Sequence, residues 1–537
     1  MKYIKRFILD FLVLILTAAL LAGCKKGNTG SNTVPLPVQK GESKKEPAAG
    51  GTLRIPMNAS PESLHPLFAR QAQTRNLLSM VFESLITFDE NMEPAACLAE
   101  SWKYNEEDNT WVFKLRNNVH WHGDLGEVTA SDAAYTVNSI LANPESVFYP
   151  SVSYFVSGAE GYDTTLVIHP KVNSYLLVYA MNIPVIPEKY YSGKNKNTKD
   201  APMGSGCFNV ESLSVSSETK MTLNAFEKWW KKLPNISRVE ATGYSSTKDI
   251  MEAFTSGNLD CVPTSVRTTE IYEILDGVNK QNYLSRNYLF LGFNLSRGIT
   301  ANVDFRKAIA YGINKTDIIN NVYLTKASGT EQPLYNDSSL TSAKVTMYDH
   351  NVTRAKEFLV GLEDTDSDGR LEYRGQNINL TLAVVNDTED PVRIEAAETV
   401  KKNLESLGIG VTINGLTSDE MKSAAAKKDF DLILSGYSLS EVPLLRFAFS
   451  PSGEGNLFSY SSSAMNDVLD RIDSAKTLDE TKTAMLEFQT LLASDLPQIG
   501  LFFEMNTFLY RDGLHVEGIR RESNVYASIN SWYFIKE

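Results

Sequence analysis

Apolar residues recur along this chain at two periods, and the two periods alternate. In Thr52–Met57 they occupy every second position (Leu53, Ile55, Met57), which is the pattern of a half-buried strand. Thr74–Leu85 places Leu77, Leu78, Val81 and Leu85 at helical spacing instead. Alternation returns at Trp111, Phe113 and Leu115. Thr129-Ala-Ser-Asp132 is then a capping box ahead of a helix carrying Tyr135, Val137 and Ile140. Further helices are predicted over Asp304–Val322, Pro391–Leu407 and Leu478–Leu492, with Pro391 suited to a first turn. Strands are predicted over Ile378–Val385, Gly410–Ile413 and Asp431–Leu434. Strands and helices interleaved without an internal repeat predict an α/β fold with mixed sheets.

The first 50 residues do not share this pattern. Lys2, Lys5 and Arg6 precede an apolar run from Phe11 to Leu21, and Leu21-Ala22-Gly23-Cys24 closes it. The run is shorter than the roughly 20 apolar residues of a bilayer-spanning helix. Residues 1–23 therefore read as a signal peptide, and the closing residues resemble the lipobox of bacterial lipoproteins. That resemblance implies acylation of Cys24 and attachment to the outer face of the cytoplasmic membrane, with the lipid bilayer as a partner. After Cys24, the stretch to residue 50 is rich in Gly, Ser, Pro and Lys and reads as a flexible tether. Its end-to-end distance of about 28 Å is close to the radius of gyration of about 23 Å expected for the body behind it.

Charge is divided unevenly. Residues 1–24 carry +2 and residues 25–50 carry +3, so of the formal −13 the remaining 487 residues hold −18. An acidic body of this kind argues against a nucleic-acid partner, whose phosphates need basic patches. Besides Cys24 the chain has only Cys97, Cys207 and Cys261, too few for a disulfide framework and without metal spacing. Buried free thiols are expected, with a single bridge left open.

Several segments in fixed order are similar to the extracellular solute-binding proteins of family 5, the oligopeptide-, dipeptide- and nickel-binding receptors of ABC importers. The most specific is LAESWKYNEEDNTWVFKLRNNVHWHGDLGEVTASDAAYTVNSI (Leu98–Ile140). PESLHP (Pro61–Pro66), VIPEKYY (Val185–Tyr191), PMGSGCF (Pro202–Phe208), FTSGNLD (Phe254–Asp260), LGFN (Leu291–Asn294) and DFRKAIAYGINK (Asp304–Lys315) follow the same order. The resemblance implies a two-lobed periplasmic-binding-protein fold of type II, large, with an extra subdomain and two interlobe crossings. The crossings are expected near Tyr288–Asn294 and Pro497–Phe503. Lobe I would hold residues 51–288 plus 499–537, with the extra subdomain at about 96–202, and lobe II residues 289–498. The implied function is capture of a short peptide or similar solute and delivery to an ABC permease, by a monomer without a cofactor. A surface sensor or pheromone receptor of the same fold is the alternative, and an extracellular hydrolase a more distant one.

No HExxH, G-x-S-x-G or GxxxxGK[ST] motif occurs, so the chain does not read as an enzyme. Trp102, Trp111, Phe113 and Trp121 are expected in the core or its turns, and Gly204 and Gly206 where backbone approaches closely. His120-Trp121-His122 is expected as a polar turn rather than a metal site. Asp364, Asp366 and Asp368 resemble the start of a calcium loop, but Gly375 stands where the bidentate Glu belongs, so a hairpin turn is expected, with weak calcium binding left open. Ligand contacts are expected from Asn58, Ser205 and the segment Ser435–Phe449. In peptide-binding relatives that segment reads G-W-x-A-D-Y-x-D-P, and its first Asp holds the peptide's amino group. Here Gly436 and Tyr437 align with the Gly and the aromatic residue, but Ser440 stands at the Asp. Glu441 is the candidate substitute, Ser438 a neighbouring polar group, and Arg446 a candidate partner for a carboxylate or else a member of an internal salt bridge.

Overall fold

A computed structural model describes residues 46–48, 50–215, 218–265, 275–387 and 391–536. The signal peptide, Cys24 and nearly all of the tether lie outside these residues. The ordered body includes the end of the tether, where Ala48 N donates to Phe534 O at 2.7 Å and Lys536 N to Glu46 O at 3.0 Å.

In chain order the main strands begin with β1 (Thr52–Asn58), β2 (Ala99–Asn105), β3 (Thr110–Leu115), β4 (Val156–Tyr162) and β5 (Thr165–Pro170). They continue with β6 (Phe208–Ser214), β7 (Lys220–Ala225), β8 (Arg238–Tyr244), β9 (Cys261–Ser265) and β10 (Val278–Phe293). The last are β11 (Asn379–Val385), β12 (Gly410–Leu416), β13 (Leu432–Ser438) and β14 (Gln498–Arg511). The main helices are α1 (Ala72–Val81), α2 (Ala130–Leu141), α3 (Thr247–Thr255), α4 (Val303–Gly312), α5 (Val392–Glu405), α6 (Ser463–Ser474) and α7 (Leu478–Asp495).

Among the described residues these main strands form three sheets. One has the order β1-β8-β7-β6, with β1 parallel to β8; a second, β2-β3-β5-β4, is antiparallel throughout. The third has the order β9-β14-β10-β13-β11-β12, with the short strand Ala327–Gly329 also on β14. Its centre is the antiparallel pair β10 and β14, the two longest strands. They pair from Val278↔Arg511 to Leu284↔Met505, lose register, and resume from Tyr288↔Phe503 to Gly292↔Gln498. The second paired stretch joins Tyr288–Gly292 to Gln498–Phe503. Leu289, Leu291, Phe293, Ile499, Leu501 and Phe502 belong to a core shared with α4, α5 and β11. Tyr283, Tyr288, Phe290, Phe503 and Phe508 belong to the larger core of β1, β3 and α2. Alternate residues of β10 thus enter different cores, as the period of two requires, while Leu501 and Phe502 of β14 enter the same one beside a second register shift.

Most predicted elements form within a few residues of their expected ends. The helix predicted over Asp304–Val322 does not run unbroken. It stops at Gly312 because Ile313 is extended (φ −76°, ψ 124°), and Asn314 then caps a new turn through Asp317 N. Helical periodicity persists across such a break, so the pattern alone does not reveal it. The helix predicted to reach Leu85 ends at Val81, since Phe82 is already extended. Capping agrees with the sequence at Thr129, which accepts from Asp132 N while Asp132 accepts from Thr129 N.

Gly204 and Gly206 lie against the Met80–Val81 backbone, and a Cβ on either would sit inside van der Waals contact of a carbonyl oxygen. Gly206→Ala is therefore expected to destabilise the fold by several kcal/mol, like an overpacked core. A urea melt showing a midpoint within error of the parent would refute this.

Candidate functional site

Two of the ligand candidates, Asn58 and Ser205, lie beside α1 and the residues just after it. Asn58, at the end of β1, accepts from Thr74 Oγ1 at 2.9 Å. Ser205 is fully buried, and its hydroxyl donates to Glu83 Oε2 at 3.2 Å. Glu83 follows the early end of α1 and was not singled out by sequence, because a lone Glu after a helix has no signature. Its carboxylate also accepts from Trp229 Nε1 at 3.2 Å and from Trp230 Nε1 at 2.9 and 3.0 Å. Burial raises its pKa, against the pull of nearby Lys231 and of these donors.

His122 ties the Gly204–Gly206 turn in place. Its Nε2 bonds Gly206 O at 2.9 Å, and its Nδ1 accepts from Gly204 N at 3.3 Å. Both ring nitrogens are therefore engaged by backbone. Trp111, Phe113 and Trp121 are buried, as expected, and Trp102 is half-buried against the same core. Cys97, Cys207 and Cys261 are free and buried.

The second cluster is built by β13 and the loop after it. Tyr437 is buried, donates to Gly455 O at 2.7 Å, and packs against Phe290 (4.6 Å between ring centroids) and Phe447 (5.1 Å). Tyr288 stacks beside it at 6.5 Å, and Phe503 joins Tyr288 to Tyr335. Burial raises the Tyr437 pKa, which keeps the phenol neutral. Ser438 is exposed and pairs with Asn287 across the strand. Ser440 Oγ donates to Val442 O at 2.5 Å, a local turn contact.

Glu441 is the junction of this cluster. Its Oε2 accepts from Asn182 Nδ2 at 3.3 Å, and its Oε1 accepts from Ser523 Oγ. Arg446 pairs with both Asp470 and Asp473, and Asp473 also accepts from Tyr154 OH at 2.9 Å. Burial opposes the Arg446 charge, but the bonds to Asp473 and Asp470 outweigh it and raise its pKa. Further bonds also join residues far apart in sequence. Arg521 Nη1 reaches Asp337 Oδ2 at 2.8 Å, Lys482 reaches Glu93 at 2.7 Å, and Tyr175 N donates to Ala475 O at 2.7 Å. Asn182, Asp337 and the Arg521–Ser523 loop carried no sequence signal, since their partners lie between 82 and 259 positions away.

Asp364, Asp366 and Asp368 form an exposed turn with carboxylate oxygens within 4.8 Å of one another. Asp364 accepts from Asp368 N and Gly369 N, Asp366 from Asp368 N, and Asp368 from Arg370 N and Asn377 Nδ2. The hairpin Glu372–Tyr373 with Gln376–Asn377 follows.

Residues 93–454 match the family model of bacterial extracellular solute-binding proteins, family 5. The chain belongs to this family. It is 22% identical to the oligopeptide-binding protein AppA of Bacillus subtilis over the full length of both chains. It is also 27% identical to the oligopeptide-binding protein OppA of the same organism, over 59% of this chain and 61% of that one. Among solved structures, the unliganded open form of the periplasmic murein tripeptide-binding protein MppA superposes with a TM-score of 0.78. That match is 18% identical and covers 92% of this chain and 99% of the other. The family-5 protein is a solute-binding receptor and not an enzyme, and its mixed α/β sheets are those of periplasmic solute-binding proteins.

Proposed function

We propose that this chain is the membrane-anchored substrate-binding lipoprotein of an ABC importer, and that it captures a short peptide or similar solute between two lobes. In this reading residues 51–288 and 499–537 form lobe I, with residues 96–202 as an extra subdomain, and residues 289–498 form lobe II. Acylated Cys24 holds the receptor on the outer face of the membrane, within reach of its permease. The observation that carries the reading is the seam centred on Glu441. Polar side chains of the proposed lobe II there bond to partners in lobe I, beside an aromatic floor of Tyr288, Tyr335, Tyr437 and Phe503. A cleft between lobes with a few converging polar groups on an apolar wall suits a small solute, and contacts made only in the closed form favour closure. The names of AppA and OppA support a peptide as the solute.

A peptide panel of two to nine residues tests this. A binding peptide at 100 times its Kd stabilises the folded chain by about 2.7 kcal/mol, which raises the melting temperature, and closure reduces the radius of gyration in X-ray scattering. If no peptide moves either quantity, the peptide reading falls.

A further inference from the structure

We infer that Arg75 and Arg286 form an anion-recognising corner of the cleft, which takes a carboxylate or phosphate group of the captured solute. The inference rests on the cleft reading above and names a chemical property of the solute. Three separate segments converge there. Arg75 lies on α1, whose Asn76 Oδ1 accepts from Val525 N at 3.3 Å and whose Ser79 Oγ donates to Asn524 Oδ1 at 3.1 Å. Helix α1 is thereby fixed against the loop that carries Arg521, Glu522 and Ser523. Arg286 lies in the register break between Leu284 and Tyr288, where the two long strands lose their pairing. Its backbone N donates to Glu522 Oε2 at 3.0 Å and its Nε to Leu439 O at 2.7 Å. Tyr335 OH reaches the same Leu439 carbonyl at 3.3 Å.

Counted over the corner the formal charges balance, Arg75, Arg286 and Arg521 against Asp337, Glu441 and Glu522, but they are not paired one to one. Asp337 already serves Arg521, and Glu441 accepts from the neutral Asn182 and Ser523. Glu522 accepts from the Arg286 backbone N, and its charge acts on Arg75. Among the described residues, neither guanidinium reaches a carboxylate within ion-pair distance. Arg75 spends one N–H group on Arg70 O and Arg286 its Nε on Leu439 O, out of the five that each guanidinium carries. Burial lowers the Arg75 pKa, and the charge of Arg286 lowers it further while Glu522 opposes both. Two guanidinium charges at a partly buried site, each without an ion-pair partner, are favoured by an added anion. Planar guanidinium groups suit carboxylate and phosphate oxygens in particular.

The position also connects recognition to movement. An anion held here contacts α1, the break in β10 and the loop whose Arg521 and Ser523 bond across the seam, so occupancy bears on closure. Isothermal titration of the full chain at low ionic strength tests the corner with four probes: inorganic phosphate, succinate, trialanine and trialanine amide. Phosphate and succinate are expected to bind saturably, and trialanine at least tenfold more tightly than its amide. Arg75→Gln and Arg286→Gln should each weaken the anions at least tenfold and erase the acid-to-amide difference. The exposed Lys248→Gln should change neither. Circular dichroism melts establish that each variant is folded, and Arg75→Gln, away from the strand break, suffices if Arg286→Gln is not. Equal binding of trialanine and its amide, unchanged in the variants, overturns the corner and leaves the cleft reading standing. Anions that bind through the arginines while neither peptide binds overturn the peptide reading and leave the corner. No saturable binding of either simple anion overturns the corner.

Discussion

Acidification from pH 6.5 to pH 4 is expected to remove about 3 kcal/mol of folding stability for each of two buried histidines, His65 and His122. Burial lowers both pKa values from 6.5 to about 4. Neither ring has room for a second proton without loss. His65 Nδ1 accepts from Leu67 N at 3.3 Å, between the rings of Phe68 and Tyr191. His122 Nδ1 accepts from Gly204 N while its Nε2 bonds Gly206 O. The unfolded chain takes up these protons near pH 6.5 and the folded chain only near pH 4. The unfolded state therefore binds more protons in that window, and stability falls with falling pH. The effect is full above pH 6.5 and is spent by pH 4. Glu83 acts in the opposite direction, because its raised pKa lets the folded chain hold a proton that the unfolded chain releases above about pH 4.5. Urea melts at half-unit steps separate the two contributions. The parent midpoint should fall steeply below pH 6.5, whereas a His65→Asn, His122→Gln double variant, less stable at pH 7, should show a flatter profile. Parallel profiles for the two proteins would sink the assignment.

Replacing Glu83 with Ala is expected to cost about 3–5 kcal/mol at pH 7. The loss has two parts. Two indole N–H groups and the Ser205 hydroxyl lose their shared acceptor in a site that water does not reach. The space of the carboxylate is also left beside Cys207 and the Gly204–Gly206 turn, where a void adds to the cost. Glu83→Gln should be milder, since the amide oxygen still accepts from the indoles and the Ser205 hydroxyl can turn to accept from the amide nitrogen. Denaturation curves of the two variants, read with tryptophan emission, check the order. An alanine variant as stable as the glutamine one would show that the carboxylate does not hold this cluster. The cluster sets the position of Ser205 and of the end of α1, two residues beyond Ser79.

The local devices of this chain were legible because their partners are close in sequence. Thr129 and Asp132 are three positions apart, Leu53, Ile55 and Met57 two, and each pattern fixes a dihedral or a face by itself. The helix break at Ile313 and the early end of α1 at Val81 were not legible, since hydrophobic spacing does not register a backbone turned to extended geometry. The ordered motifs from Leu98 to Lys315 were sufficient for the family, because each carries turn formers and core aromatics whose spacing the fold demands.

The site divides in the same way. Tyr437, Ser440 and Glu441 could be named from one segment, since they are neighbours along the chain. What Glu441 does there depends on Asn182 and Ser523, which the sequence separates from it by 259 and 82 positions. Arg446 presents a cation to sequence reading, and only the tertiary structure supplies Asp470 and Asp473 to neutralise it. The sequence by itself thus determined elements, family and the acidic charge of the body, all of which follow from composition and short-range periodicity. The tertiary structure decided which charges of the described residues are already paired and which, at Arg75 and Arg286, have no carboxylate within ion-pair distance, because electrostatic pairing depends on distance in space and not along the chain.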